Sequence, residues 1–99
     1  MGNDRRVIVE NVNHPGQSKL VDTAMYDAMR KAYLEVLPEG PPGLTLVAIA
    51  DELAGRLPQD LYPNGARAGW WAKTVQLDLE AKGLVGRERT TPIRLYRRR

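Results

Sequence analysis

The side chains of this sequence that could do chemistry are mostly cations gathered toward its carboxyl end. Residues 61–99 contain nine basic and three acidic side chains, whereas residues 1–60 contain six basic and nine acidic ones. The net charge is therefore +6 in the second part and −3 in the first. Without the last three arginines the second part still carries +3. Such asymmetry creates a positive field over one end of a folded domain, which suits a polyanionic partner.

Catalytic chemistry has few candidate residues. His14 is the single histidine, it lies in a turn beside Pro15, and the chain has no cysteine. These side chains form neither a metal cluster nor a histidine-based triad. The glycines match neither the P-loop nor the dinucleotide fingerprint. We therefore expect no enzyme, no bound metal or cofactor, and no small-molecule substrate.

The length and the residue types also limit the setting of the chain. Ninety-nine residues fit one domain with one hydrophobic core. The lack of cysteine favours a reducing compartment, because small domains in oxidising ones are often held by disulfides. The first residues lack the apolar run of a signal peptide, and no segment is long enough to cross a bilayer. We expect a cytoplasmic location and no membrane partner.

Apolar periodicity predicts three helices and a terminal hairpin. Apolar pairs recur every four residues over 18–37, with Ser18 as the expected N-cap, and Pro38 ends the segment. A second helix is predicted over 46–57 with Thr45 as its cap, and a third over 66–82, ended by Gly83. Two runs, 84–89 and 93–97, flank a polar turn and predict a β-hairpin. The β-branched stretch 6–12 could form an additional strand. Residues 1–17 are treated as an N-terminal extension and 18–99 as the domain proper.

Three helices followed by a two-stranded hairpin are the order of a winged helix-turn-helix domain, an α+β fold that is mainly α. The junction between the third helix and the hairpin strengthens the resemblance to bacterial winged-helix regulators: Leu79-Glu80-Ala81-Lys82-Gly83-Leu84-Val85-Gly86-Arg87. There the glycine stops the helix, the apolar pair docks the first strand of the wing, and Arg87 is expected to point outward. More narrowly, the chain resembles a small bacterial winged-helix family with no assigned function. That resemblance is carried by Asn11-Val12-Asn13-x-Pro15-Gly16, by Pro42-Gly43-Leu44-Thr45, and above all by Gly69-Trp70-Trp71-x-Lys73-x-Val75-Gln76-Leu77-Asp78-Leu79-Glu80.

A nucleic-acid interface follows from this arrangement. Lys73 is expected to contact phosphate or guanine, and Gln76 to reach adenine, at the end of the third helix that usually meets bases. The predicted duplex-DNA contacts are Arg67, Lys73, Gln76, Arg87, Arg89, Arg94 and Arg97. Two other interpretations stay open: Lys73 and Gln76 are also ordinary for a solvated helix face, and a charged hairpin also protects a sheet edge from pairing.

The function that these residues favour is a small DNA-binding protein, such as a transcriptional regulator. The alternative is a winged-helix module that binds protein or forms a homodimer without binding DNA. Its predicted interface is an apolar patch of Trp70, Leu77 and Tyr62, with dimerisation through residues 7–12 or the first helix as a further route. The other arrangement left open is that Trp70 packs beneath the loop before the third helix. Trp71, by contrast, is expected to be buried in the core.

Overall fold

The computed structural model describes residues 5–98, which fold as an α+β domain around one core. Two strands form an N-terminal hairpin, and three helices and a second hairpin follow. The elements are β1 (Arg6–Glu10), β2 (Ser18–Asp22), α1 (Thr23–Val36), β3 (Leu44–Thr45), α2 (Leu46–Ala54), α3 (Ala68–Ala81), β4 (Val85–Glu88) and β5 (Arg94–Arg97). A single 3-10 turn, Pro63–Gly65, lies between α2 and α3. None of the helices in the described part of the chain is long and apolar enough to cross a membrane.

The first helix differs from the sequence prediction. Residues 18–22 form β2 and pair antiparallel with β1, so that Ile8 faces Leu20 and Val9 faces Lys19. The helix begins only after Asp22, whose carboxylate accepts a hydrogen bond of 3.0 Å from the Met25 amide. The prediction of Ser18 as the N-cap was therefore wrong. An apolar repeat over 18–22 fits either element, and pairing with β1 decides between them.

The ends of the other helices follow from local chemistry. The Thr45 hydroxyl caps α2 by accepting from the Ala48 amide at 3.2 Å, as the sequence predicted. After α3, Gly83 has φ +75° and donates to the Glu80 carbonyl, while the Leu84 amide donates to the Leu79 carbonyl. These two bonds form a Schellman motif, which confirms Gly83 as the residue that ends the third helix.

The C-terminal hairpin belongs to a three-stranded antiparallel sheet in the order β3-β5-β4. β5 lies in the centre, where Leu95 pairs with Leu44 on one side and with Arg87 on the other. The sequence predicted the hairpin but not β3, whose two residues are too short to leave a pattern. Leu95 is completely buried and joins this sheet to the helices.

All three helices contribute to the core. Its fully or almost fully buried side chains include Met29 and Tyr33 of α1, Ile49 and Leu53 of α2, Val75 and Leu79 of α3, and Val85 of β4. Val9 and Val21 extend the core to the N-terminal hairpin. Trp71 is buried with them, as the sequence predicted. The hairpin of residues 6–22 is thus an integral part of the domain that positions α3.

Gly43 is a position at which this sheet has no room for a side chain. A Cβ atom there would lie 2.1 Å from the backbone oxygen of Leu95 in the central strand. We predict that Gly43→Ala lowers the free energy of unfolding by about 2–3 kcal/mol, because β3 must move off β5. Urea denaturation followed by circular dichroism measures this. Gly55→Ala is the matched control, since nothing lies within 4 Å of the place where its Cβ atom would be, and equal losses for both variants would contradict the explanation.

Candidate nucleic-acid interface

Helix α3 begins at an exposed arginine in an unusual backbone conformation. Arg67 has φ +65°, in the left-handed region, and occupies the N-cap position without making a side-chain capping bond. This conformation costs a residue with a Cβ atom about 1–2 kcal/mol. The amides of the first turn are left without a side-chain cap, and the helix dipole adds positive potential at this end. The start of α3 is therefore an electropositive end of the helix.

The loop before α3 is held in place by Tyr62. The ring of this residue is buried, and its hydroxyl donates a hydrogen bond of 2.7 Å to the Met25 carbonyl in α1. Burial raises the pKa of the Tyr62 hydroxyl, and the nearby charge of Asp22 raises it further, so the group stays protonated as a donor. Tyr62 therefore anchors the loop, and its predicted place in an exposed apolar patch was wrong.

Trp70 lies on the surface at the first turn of α3, with 49% of its area exposed. Its ring meets the buried ring of Trp71 edge-on, with the two centroids 5.1 Å apart. The ammonium of Lys19, from β2, lies 4.7 Å from the centroid of the Trp70 ring. This distance is within the range of a cation–π interaction, which restrains the long lysine side chain.

Lys73 lies one turn further along α3 and is exposed. Together with Lys19 and Thr74 it lines a cleft of about 320 Å³ between α3 and the N-terminal hairpin, in which Glu10 is the acidic side chain. Lys19, Arg67 and Lys73 thus surround Trp70 on one side of the molecule. We call these four residues the α3 basic surface.

The acidic residues of α3 lie further along the helix and are engaged within the protein. Asp78 is completely buried, and its carboxylate accepts hydrogen bonds from the Tyr26 hydroxyl, the Lys82 ammonium and, at 2.8 Å, the Glu10 amide. Burial raises the pKa of Tyr26, and the bond to Asp78 and its negative charge raise it further, which keeps the hydroxyl protonated. The charge of Asp78 is thus balanced inside the fold.

Glu80 is neutralised in the same way by the C-terminal hairpin. The Arg87 guanidinium donates two parallel hydrogen bonds to it, at 2.8 and 2.9 Å, and the Gln76 amide donates a third at 2.9 Å. The bond to Glu80 raises the pKa of Arg87. Gln76 is only 2% exposed. The expectations that Arg87 points outward and that Gln76 is available to a base were therefore wrong.

The other three arginines predicted to contact DNA lie on the C-terminal hairpin, and they differ in whether other groups of the protein bind their side chains. Arg94 donates to the Gly43 carbonyl at 3.0 Å, and Arg97 lies 3.9 Å from the Glu39 carboxylate. Arg89 is exposed at the start of the turn, and no residue within 5–98 makes a hydrogen bond or ion pair with its side chain. Of the seven predicted DNA contacts, the structure thus leaves Arg67, Lys73 and Arg89 unengaged within its described range and brings the first two together around Trp70.

Leu77 is buried, although it lies outside the main core cluster of α3. It is buried because β1 runs across it, and the Val12 amide donates to its carbonyl at 3.3 Å. Its place in the predicted apolar patch was therefore wrong, since the N-terminal hairpin covers the C-terminal half of α3. The same hairpin brings Lys19 to the α3 basic surface. The sequence pattern missed Lys19 because it assigns residue 19 to the first helix.

These observations define a small α+β domain with three helices, a hairpin at each end and a cationic surface at the start of α3. Among residues 5–98, no three side chains of the metal-binding types converge on one point. The chain belongs to a family of unknown function, DUF6958, whose family model matches residues 6–95. The expected likeness to a family without an assigned function is confirmed to that extent. No curated protein and no solved structure matches the chain.

The buried carboxylate of Asp78 offers a test of how the hairpin and α3 are held together. We predict that Asp78→Asn lowers the free energy of unfolding by about 2–4 kcal/mol, because an amide group would then face a hydrogen-bond donor in the core. Thermal or urea unfolding measures the loss. The control Asp51→Asn changes an exposed carboxylate of α2 and should shift stability by less than about 0.5 kcal/mol. If Asp78→Asn lowered stability by no more than Asp51→Asn, the hydrogen bonds of Asp78 would not be what holds the hairpin against α3.

Proposed function

We propose that this protein is a winged helix-turn-helix protein that binds duplex DNA through the N-terminal half of α3. The order of three helices followed by a hairpin supports this assignment of the fold. The observation that carries the function is the charge of α3. Asp78 and Glu80, further along the helix, are neutralised within the protein, whereas Arg67 and Lys73 remain exposed at its N-terminal end. The helix therefore presents a surface of one sign of charge to a partner.

Phosphate groups fit this surface well. Arg67 and Lys73 are separated by less than two turns, and the electropositive end of the helix lies between them. Lys19, held by the Trp70 ring, supplies a third cation from a different element. Contacts to several phosphates fix a helix on the duplex without reading its sequence. On this proposal, Lys19 joins Arg67 and Lys73 as a phosphate contact.

The shape of the first turn of α3 is consistent with approach to a groove. Gly69 is exposed, and nothing lies within 4 Å of the place where a Cβ atom would be. Backbone can therefore come close to the nucleic acid beside Trp70. Because Gln76 is buried, base contacts would fall to Lys73, for which guanine is the preferred partner. Arg89 on the hairpin would add a phosphate contact beyond the helix. We propose that this protein regulates transcription.

The first test measures the salt dependence of binding. A labelled random duplex is titrated by fluorescence anisotropy between about 50 and 300 mM salt, a range over which a phosphate-binding protein loses much of its affinity. We predict that Lys73→Met reduces the slope of log K against log salt by about 1, the value for one lost phosphate contact. Lys31→Met is the matched control, because Lys31 is an exposed lysine of α1 outside the α3 basic surface.

Two outcomes would contradict the proposal. The first is a wild-type chain that does not bind the duplex even at the lowest salt concentration. The second is an equal loss of slope for Lys31→Met and Lys73→Met, which would indicate attraction by net charge alone. Parallel titrations with single-stranded DNA and RNA of the same length identify a different nucleic acid if the duplex is not the preferred one.

The second test uses the left-handed backbone of Arg67 to separate stability from binding. We predict that Arg67→Gly leaves stability unchanged or raises it by up to about 1 kcal/mol, because glycine adopts φ +65° without strain. The same change should weaken duplex binding about three- to tenfold through the lost cation. Asn64→Gly is the matched control, since Asn64 has φ +54° but lies in the loop before α3. Unaltered affinity in Arg67→Gly would exclude Arg67 from the interface.

A further inference from the structure

The N-terminal hairpin has two faces of different character. Val9 and Val21 point into the core, and Lys19 lies on the same inner side against Trp70. The alternate residues lie on the other face of the hairpin and are all exposed. Those at its edges also border the clefts that Lys73 and Arg67 line. These six side chains form the outer hairpin face: Arg6, Ile8 and Glu10 on β1, and Ser18, Leu20 and Asp22 on β2.

An apolar pair occupies the middle of the outer hairpin face. Ile8 is 57% exposed and Leu20 is 61% exposed, and the two are direct cross-strand partners. The solvated face of an antiparallel sheet normally carries polar side chains. Two large aliphatic side chains side by side at its centre are therefore unfavourable in water and would gain from being covered.

The charges at the ends of this face are arranged to match a copy of itself. Arg6 and Glu10 lie two residues to either side of Ile8 on β1. A two-fold axis that passes across the strands at Ile8 and Leu20 would bring Arg6 of one copy opposite Glu10 of the other, twice per dimer. Asp22 is less available as a partner because its carboxylate already caps α1. Within residues 5–98, neither the Arg6 guanidinium nor the Glu10 carboxylate has an ion-pair partner.

We infer that the outer hairpin face binds the same face of a second copy of this chain, forming a two-fold symmetric homodimer. The apolar pairs of the two copies meet at the centre, and the pairs of Arg6 with Glu10 close both ends. Six side chains from each copy are far fewer than the roughly 20–30 residues per side of a standard interface, so we expect a weak dimer with a dissociation constant of about 10–1000 µM. This inference is independent of the proposed DNA binding.

Sedimentation equilibrium from about 10 µM to 1 mM tests the dimer in the range that its size predicts. The wild-type weight-average mass should rise with concentration toward twice the monomer mass. Leu20→Thr and Ile8→Thr place a β-branched residue in the strand but remove apolar area, and each should weaken association about tenfold. Val47→Thr is the matched control, because Val47 is 73% exposed on α2 and this variant should associate like the wild type.

A charge exchange tests the orientation of the two copies. Arg6→Glu should weaken association, and the double variant Arg6→Glu with Glu10→Arg should restore it, because the opposite charges face each other again. Circular dichroism of each variant checks that the hairpin stays folded. A wild-type chain that remains monomeric up to about 1 mM would overturn the inference, as would a dimer that Leu20→Thr and Ile8→Thr leave intact or that Val47→Thr weakens equally. Failure of the double variant to recover association would overturn the two-fold arrangement.

Discussion

The position of the N-terminal hairpin depends on one buried negative charge. Burying an isolated carboxylate in a protein core is very unfavourable, so the fold must provide donors to it. Asp78 receives them from three places in the chain: the Tyr26 hydroxyl of α1, the Glu10 amide of β1 and the Lys82 ammonium at the end of α3. The carboxylate is satisfied only when the hairpin, the first helix and the third helix have their native arrangement. The need to satisfy the Asp78 carboxylate thus fixes how these three elements pack together. Apolar contacts alone would specify that arrangement less precisely.

A second carboxylate does the same for the other end of the molecule. Glu80 lies half a turn beyond Asp78 and binds Arg87, which holds the first strand of the C-terminal hairpin against α3. The two acidic residues of α3 are therefore both used to fasten a hairpin. As a consequence, the positive character of the α3 surface comes from the fold and not from the composition of the helix. Residues 67–82 contain three basic and two acidic side chains, yet the exposed start of the helix carries cations alone.

The sequence predicted those features that depend on neighbours along the chain. The cap at Thr45, the end of α3 at Gly83 and the burial of Trp71 all follow from local chemistry and periodicity, and the order of helices and C-terminal hairpin follows from them. The misassigned residues are those whose surroundings depend on packing between elements. The apolar pattern over 18–22 fits a helix as well as a strand, and pairing with β1 decides between them. Gln76 lies four residues before Glu80, a spacing at which helix side chains pair, but its burial depends on the elements packed over α3. Arg87 meets Glu80 only because β4 folds back against α3.

The N-terminal hairpin links the two surfaces that we propose. It crosses the C-terminal half of α3, covers Leu77, and leaves only the first turns of the helix open. Its inner side delivers Lys19 to the α3 basic surface, and Arg6, Leu20 and Asp22 of its outer face border a cleft with Arg67 and Trp70. Association of two copies through the outer face would therefore bring their two α3 basic surfaces next to the interface. A two-fold dimer of this kind would present two equivalent α3 surfaces, and a duplex that engaged both would need half-sites related by the same symmetry. On such a site the duplex would raise the local concentration of the hairpins, so a dimer that is weak in solution would form there. Each copy would then bind DNA more tightly when the second copy is bound.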